Sequence, residues 1–481
     1  MKLINFFSII LLLVSIDLYC SNITLRQFGA KADGKADDTW ALKRAMIFAQ
    51  TNHIDIDGEG LKYYVSGNLD LKLSYFSLKN CNFVTSNDYK NQFTLKVDCN
   101  QISMSHITFD GGRNTYKDQI EEWEDFSKEN NIKSIYPTPG DVFYFVALDE
   151  NANIDVNNVS MRNVHASSCI TVITYGSVNF ETMYFENISN KTFHVYHSIN
   201  EGKYQNGKTY VSNIKSKDVG IIPDRILYKN QIVQNQNLNA MPQASFNFIV
   251  SFGEYYLKNA EVMNYGSTGV TSDRNKFFQA DYIKISNFSN RTFSNNPSGA
   301  IWLEATKKAT IKRVDINIQN RDLRDLQFDS SAFALYGVDS EVIIDSLTIK
   351  GKYINKGFRG SFEGINKINI KKIMIDGEYK QASALFAMMP NTQIQTQIII
   401  DEMVLNSGVT EFYGIEKVEI NSILGVTGKE TINFKLPYTL NGREDYSIKA
   451  NNLPNIYKSQ VIKNLKLPFN SKTKNKIKIL N

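Results

Sequence analysis

Short stretches of alternating apolar and polar residues recur along this chain, each closed by Asn, Asp or Gly. Tyr184–Asn190 and Tyr282–Asn290 carry the pattern, and Val314–Asn320, Leu347–Gly351, Ile368–Asp376 and Val418–Ile423 repeat it. A period of two in β-branched and aromatic residues predicts strands with one buried face, and the closing residues predict turns. Several successive copies lie roughly 25–35 residues apart, the length of one solenoid coil. One such coil cannot bury its apolar side alone. Coils stacked about 4.8 Å apart share a continuous core. The pattern therefore predicts an all-β, single-stranded parallel β-helix, and no long Pro/Gly/Ser linker divides it into domains.

Other segments depart from this rhythm. Thr115–Pro139 is polar and contains the run Glu121–Asp125, while Ile221–Gln243 is rich in Asn and Gln. Both read as long loops thrown out from coils, and binding feature and variable surface insertion both stand as readings. Trp40–Ala45 reads as an amphipathic helix placed to cover the open strand edges of the first coil, and residues from Leu436 on are expected to cover the other end. At the start, Lys2 precedes the apolar run Phe6–Ile16, too short to span a bilayer. Residues 1–20 thus read as a signal peptide cleaved near Cys20 or Ser21. Tyr19 stands where a lipobox needs a small residue, which disfavours a lipoprotein. The expected organisation is a signal peptide over 1–20, a β-helix domain over 21–465 with its cap at about 24–52, and a basic tail over 466–481. The expected location is periplasmic or secreted.

Charge narrows the partners only slightly. The formal net charge is +5 over 481 residues, and part of it sits in the tail segment Ser471–Lys478. This excess is too mild for a nucleic-acid binder and is compatible with an acidic polysaccharide. No second segment is apolar enough to cross a membrane. The odd set Cys81, Cys99 and Cys169 argues against a disulfide framework. A Cys81–Cys99 bridge between neighbouring coils and burial as free thiols both remain open. No His/Cys cluster has zinc spacing, and the Asp-rich loops lack an EF-hand pattern. No cofactor is expected, apart from a calcium ion if the protein is a lyase. The oligomeric state is not legible.

The stretch Phe28–Thr39, with Gly29, Asp33, Gly34, Asp37 and Asp38, leads straight into the Trp40 helix. Gly29 and Gly34 suit turns at positive φ, and Asp37 or Asp38 can accept from the first helical turn. The motif resembles the entrance segment of the pectate-lyase-like superfamily. The resemblance implies a right-handed parallel β-helix that handles polysaccharide, although the matching motif covers only the entrance.

Stacking turns sequence alignment into geometry. Aligned by the strands that follow them, Asp273 falls over Glu304; the next coils add Gly337, flanked by Tyr336 and Asp339, and then Glu363. Glycoside hydrolysis needs two carboxyl groups about 5–5.5 Å apart for retention or about 6.5–9.5 Å for inversion, and crowded carboxylates push one pKa up. Asp273 and Glu304 are the expected catalytic pair. Solvent-facing acids that align by chance are the plain alternative for the whole column. Arg274 can clamp a sugar carboxylate or, in a lyase, act as base; a surface ion pair is its plain alternative. Trp302 and Tyr336 offer aromatic faces to sugar rings, or cover core. His197 is either a groove acid–base group or a satisfied structural histidine.

A second resemblance covers perhaps a quarter of the chain. Asp329–Asp339, followed by Val342–Leu347, is similar to segments of exported β-helix proteins of bacterial exopolysaccharide synthesis, the colanic acid and amylovoran type, and Ser294–Ala300 has the same character. It implies a periplasmic protein that trims, processes or guides a newly made polysaccharide. The ordered Asn-Thr-Asp, Asp-Asp, His-Gly and Arg-x-Lys signatures of pectin hydrolases are missing, which counts against plant pectin. The expected function is cleavage or processing of an exopolysaccharide by hydrolysis. A non-catalytic binding scaffold in export and a secreted lyase or depolymerase acting on foreign polymer are the rivals.

Overall fold

The computed structural model describes most of residues 22–449 together with 477–480; the longest stretches outside it are 1–21, 120–139, 235–245, 289–298, 319–330 and 450–476. The signal segment, the Glu121–Asp125 run and Ser471–Lys476 therefore lie outside the described residues.

Parallel pairing between strands one coil apart builds the molecule. Phe143–Ala147, Ser168–Thr174, Lys191–Tyr196, Phe246–Ser251, Thr268–Asp273, Gly299–Glu304 and Ser331–Val338 stack in that order on one face. Longer strands such as Asn153–Val164, Ser177–Ile188 and Lys208–Val219 stack beside them. Asn153–Val164 and Ser177–Ile188 each bend twice, the second time at Asn163 and Asn187, with φ of 54° and 55°. Asn158 and Thr182 take φ of 53° and 54°, and the ladder skips them, passing from Asn157↔Glu181 to Val159↔Met183. The first bend divides the long strand between two faces, so each coil has three. Side chains that hydrogen-bond between neighbouring coils are commonly 20 to 34 residues apart in sequence. The separation rises to 52 for Arg162–Asp110 and 46 for Asn264–Asp218, across the two stretches that break the rhythm. The architecture is a right-handed parallel β-helix, the hand that parallel crossovers take.

Those two stretches carry short strands of their own. Arg225–Tyr228 pairs antiparallel with Gln231–Gln234 and parallel with Asp118–Gln119, so the insertions meet in a separate three-stranded sheet.

The interior is built of like residues stacked on like. Phe333, Phe358, Phe386 and Phe412 form a column with ring centroids 5.3, 4.8 and 4.9 Å apart. Ile311, Ile344, Ile370 and Ile400 form another, all buried. Burying each such side chain contributes about 1.5–3 kcal/mol.

The first coil is capped as its motif predicts. Gly29 and Gly34 take φ of 90° and 67°. The two acids divide the work. Asp37 accepts from the Thr39 N–H at 2.9 Å and the Ser66 hydroxyl at 2.7 Å, serving the helix start. Asp38 turns back and accepts the Lys31 and Ala32 N–H groups at 2.7 and 3.1 Å, pinning the loop. The helix Thr39–Asn52 then buries Ala41, Leu42, Ala45, Met46 and Ala49. At the other end, Ile477–Leu480 pairs in parallel with Asp445–Lys449. These last residues of the expected solvated tail thus extend the stack, because their own alternation suits one more strand.

Cys81, Cys99 and Cys169 are free and buried, which removes the Cys81–Cys99 bridge. Among the described residues, no helix is long and apolar enough to cross a membrane.

Candidate functional site

On the first face, strict register aligns one outward column through Tyr196, Ser251, Asp273, Glu304, Tyr336 and Ser361. Its side chains point out because their neighbours Val195, Val250, Ser272, Leu303 and Leu335 are buried inside. Asp273 and Glu304 are direct Cα partners on adjacent strands, as the sequence alignment placed them. Strand spacing sets their backbones about 4.8 Å apart.

Each carboxylate is held by its surroundings. The Ser251 hydroxyl donates to Asp273 Oδ2 at 3.1 Å, and Arg274 Nε lies 3.5 Å from Asp273 Oδ1. Trp302 Nε1 donates to Glu304 Oε2 at 3.0 Å. Trp302 also packs on Tyr336, with centroids 4.8 Å apart, and the Arg359 guanidinium sits 5.2 Å from the Tyr336 ring centre. Arg359 Nε donates to Ser361 Oγ at 3.3 Å. Half-buried carboxylates, cations and aromatic faces thus follow one row, in which Ser251 and Ser361 are buried. Ser251, Arg359 and Ser361 were not singled out from the sequence; only the register reveals them.

A left-handed corner follows the column. Phe252, Arg274 and Ala305 have φ of 64°, 49° and 45°. Arg274 N–H donates across the corner to the Glu304 carbonyl at 2.7 Å. The next two coils turn later, at Asp339 and Gly364, with φ of 50° and 73°. Two extra residues therefore extend the strand there. This corrects the expected position of Glu363: its partner is Val338, while Ser361 is the one aligned with Tyr336. Asp339 is displaced likewise. Its Oδ1 accepts the Ile365 N–H at 2.9 Å, and Lys307 Nζ lies 3.8 Å from Oδ2, so it serves the corner.

His197 is corrected as well. Its side chain is fully buried, Nε2 lies 2.7 Å from Thr209 Oγ1, and Nδ1 lies 3.2 Å from the Thr174 carbonyl. Gly207 and Gly253 pack against the ring so closely that a Cβ on either would fall 2.1 or 2.2 Å from it. Burial pulls its pKa from 6.5 to about 4. It is a neutral structural histidine inside the corner, joined to the row only through its backbone N–H, which donates to the Ser251 carbonyl at 3.0 Å.

Among the described residues, no group of three or more His, Cys, Asp or Glu side chains is arranged to hold a metal ion.

The stacked parallel strands make the fold a parallel β-helix. Among solved structures the chain is similar to PfbA, a surface adhesin of Streptococcus pneumoniae, at 13% identity over 90% of this chain and 93% of that one, with a TM-score of 0.38. It is similar to a family 28 exopolygalacturonase of Yersinia enterocolitica at 11% identity over 89% and 78%, TM-score 0.37. A hyperthermoactive exopolygalacturonase from Thermotoga maritima aligns at 8% identity over 89% and 87%, TM-score 0.29. No protein-family model and no curated protein matches the chain.

Proposed function

We propose that this protein is a carbohydrate-active β-helix protein that hydrolyses an exported bacterial polysaccharide, with Asp273 and Glu304 as the acting carboxylates. One observation carries the reading: the two acids are register partners on adjacent strands, in an outward row flanked by Trp302 and Tyr336.

The surroundings suggest a division of roles. Arg274 and Ser251 favour a negative charge on Asp273, whereas Glu304 accepts from the neutral indole N–H of Trp302. Asp273 then attacks the anomeric carbon or activates a water that does so. Glu304 delivers its proton to the departing glycosidic oxygen, so the C–O bond breaks with no free alkoxide. Trp302 and Tyr336 supply ring faces for the sugar, and Arg274 or Arg359 can meet a carboxylate on an acidic polymer. Export and a place in exopolysaccharide processing belong to this reading.

The test is incubation with purified bacterial exopolysaccharides, following both reducing ends and ultraviolet absorbance. Reducing ends without absorbance at the unsaturated-sugar band support hydrolysis. Absorbance gain shifts the chemistry to β-elimination, and tight binding with no product makes the protein a scaffold.

A further inference from the structure

A second polar cluster lies on the same face, earlier in the stack. Phe143 pairs with Ile170, and Ser168 pairs with Lys191, so Asp141, Ser168 and Lys191 follow one column at the start of these strands. The Val142 N–H donates to the Ser168 carbonyl at 3.0 Å, locking that alignment. Tyr144, Thr171 and His194 form the adjacent outward column. The intervening Phe143, Phe145, Ile170, Val172, Phe193 and Val195 are all buried in the core.

His194 marks the cluster as more than packing. Its side chain is 6% exposed, and its Nε2 is buried with no hydrogen-bond partner. A buried, unmet polar atom costs about 1–3 kcal/mol, which a bound group can relieve. The imidazole lies against Tyr196, with ring centroids 3.6 Å apart. Tyr196 belongs to the column that continues through Ser251 to Asp273. Asp141, Lys191, Tyr144 and Tyr196 are only half-buried, so the cluster is reachable from the row.

We propose that Asp141, Lys191 and His194 form a subsite for the hydroxyl groups of a sugar ring on the same face as Asp273, with Lys191 and His194 two coils before it and Asp141 four. The proposal rests on the carbohydrate reading above. Charge selects the ligand class. Asp141 and Lys191 lie in one column with Ser168 between them, so an anion would meet Asp141 and a cation would meet Lys191. A hydroxyl satisfies both, since it donates to a carboxylate or imidazole nitrogen and accepts from an amine. Burial pushes the Asp141 carboxyl up, against hydrogen bonds from Thr171 and Ser168 and the charge of Lys191. Burial also pulls the Lys191 amine and the His194 imidazole down. A neutral His194 keeps a nitrogen lone pair for a hydroxyl proton. By coil spacing and register, His194 lies about 12 Å and Asp141 about 25 Å from Asp273, and the subsite would fix how the sugar chain is threaded along the face.

The test follows histidine Cε1–H resonances of the whole protein, which has five histidines. The His194 signal is assigned by its loss in His194→Gln. Glucose, galactose, glucuronate and galacturonate are the probes, with acetate as the anion control. The expected result is a saturable shift of His194 with one or more of these sugars and none with acetate. Asp141→Asn and Lys191→Met should each weaken that binding about tenfold. Asp273→Asn should leave the shift in place, so loss of cleavage and loss of this subsite are read separately. No shift with any sugar in the wild-type protein would overturn the proposal, whatever the variants do. An equal shift with acetate would overturn it in favour of a simple anion site.

Discussion

Trp302 is bonded to Glu304 through its indole N–H, at 3.0 Å, while its ring covers Tyr336 in the next coil. One side chain thus fixes a carboxylate and builds a sugar platform. Trp302→Phe keeps most of the ring face and removes the donor. With Glu304 carrying the proton, this is a bond between neutral groups, worth about 0.5–1.5 kcal/mol, so the reducing-end rate should fall about two- to tenfold with little change in binding. An unchanged rate would mean that the Trp302 donor does not set the Glu304 position.

His197 ties stability to pH. Its pKa falls from 6.5 unfolded to about 4 folded because the interior disfavours the imidazolium. Between those values the unfolded chain binds more protons, so stability rises with pH there. The contribution is complete above about 6.5 and is lost as pH falls towards 4. A shift of this size corresponds to roughly 3 kcal/mol. His194, also pulled down by burial, adds a loss of the same sign. Denaturant melts of the wild type and His197→Gln across this window should differ in slope, with the variant flatter.

Gly253 has the matching role. A Cβ there would lie 2.2 Å from His197 Cδ2 and 2.7 Å from the Gly207 carbonyl oxygen, and the backbone oxygen has little room to yield. Gly253→Ala should therefore destabilise by about 1–3 kcal/mol, as overpacking does. The denaturation midpoint measures it directly.

The phenylalanine column predicts a larger loss. Phe358 stacks between Phe333 and Phe386 at 5.3 and 4.8 Å. Phe358→Ala leaves a cavity between them and should cost about 3–5 kcal/mol. A thermal midpoint close to wild type would show that neighbouring coils collapse to fill the gap.

The solenoid was legible because its rule is local: alternation at Val314–Asn320 or Ile368–Asp376 marks a strand wherever it occurs. Asp273 over Glu304 was legible too, since both coils turn at the residue that follows. Glu363 was misplaced because the strand ending at Val338 runs two residues longer, and apolar alternation does not record where a corner falls. His197 turned inward because Gly207 and Gly253, far from it in sequence, leave the space it fills. The Asp141–Lys191–His194 cluster was invisible for a related reason. It emerges only when three coils are set in register.

Paired action across one strand spacing is tested most directly by a double-variant cycle on reducing-end release. Asp273→Asn and Glu304→Gln should each remove nearly all activity while leaving the fold intact, and the combined variant should be hardly slower than either, because the two groups act as a unit. Near wild-type release from either single variant would contradict the assignment.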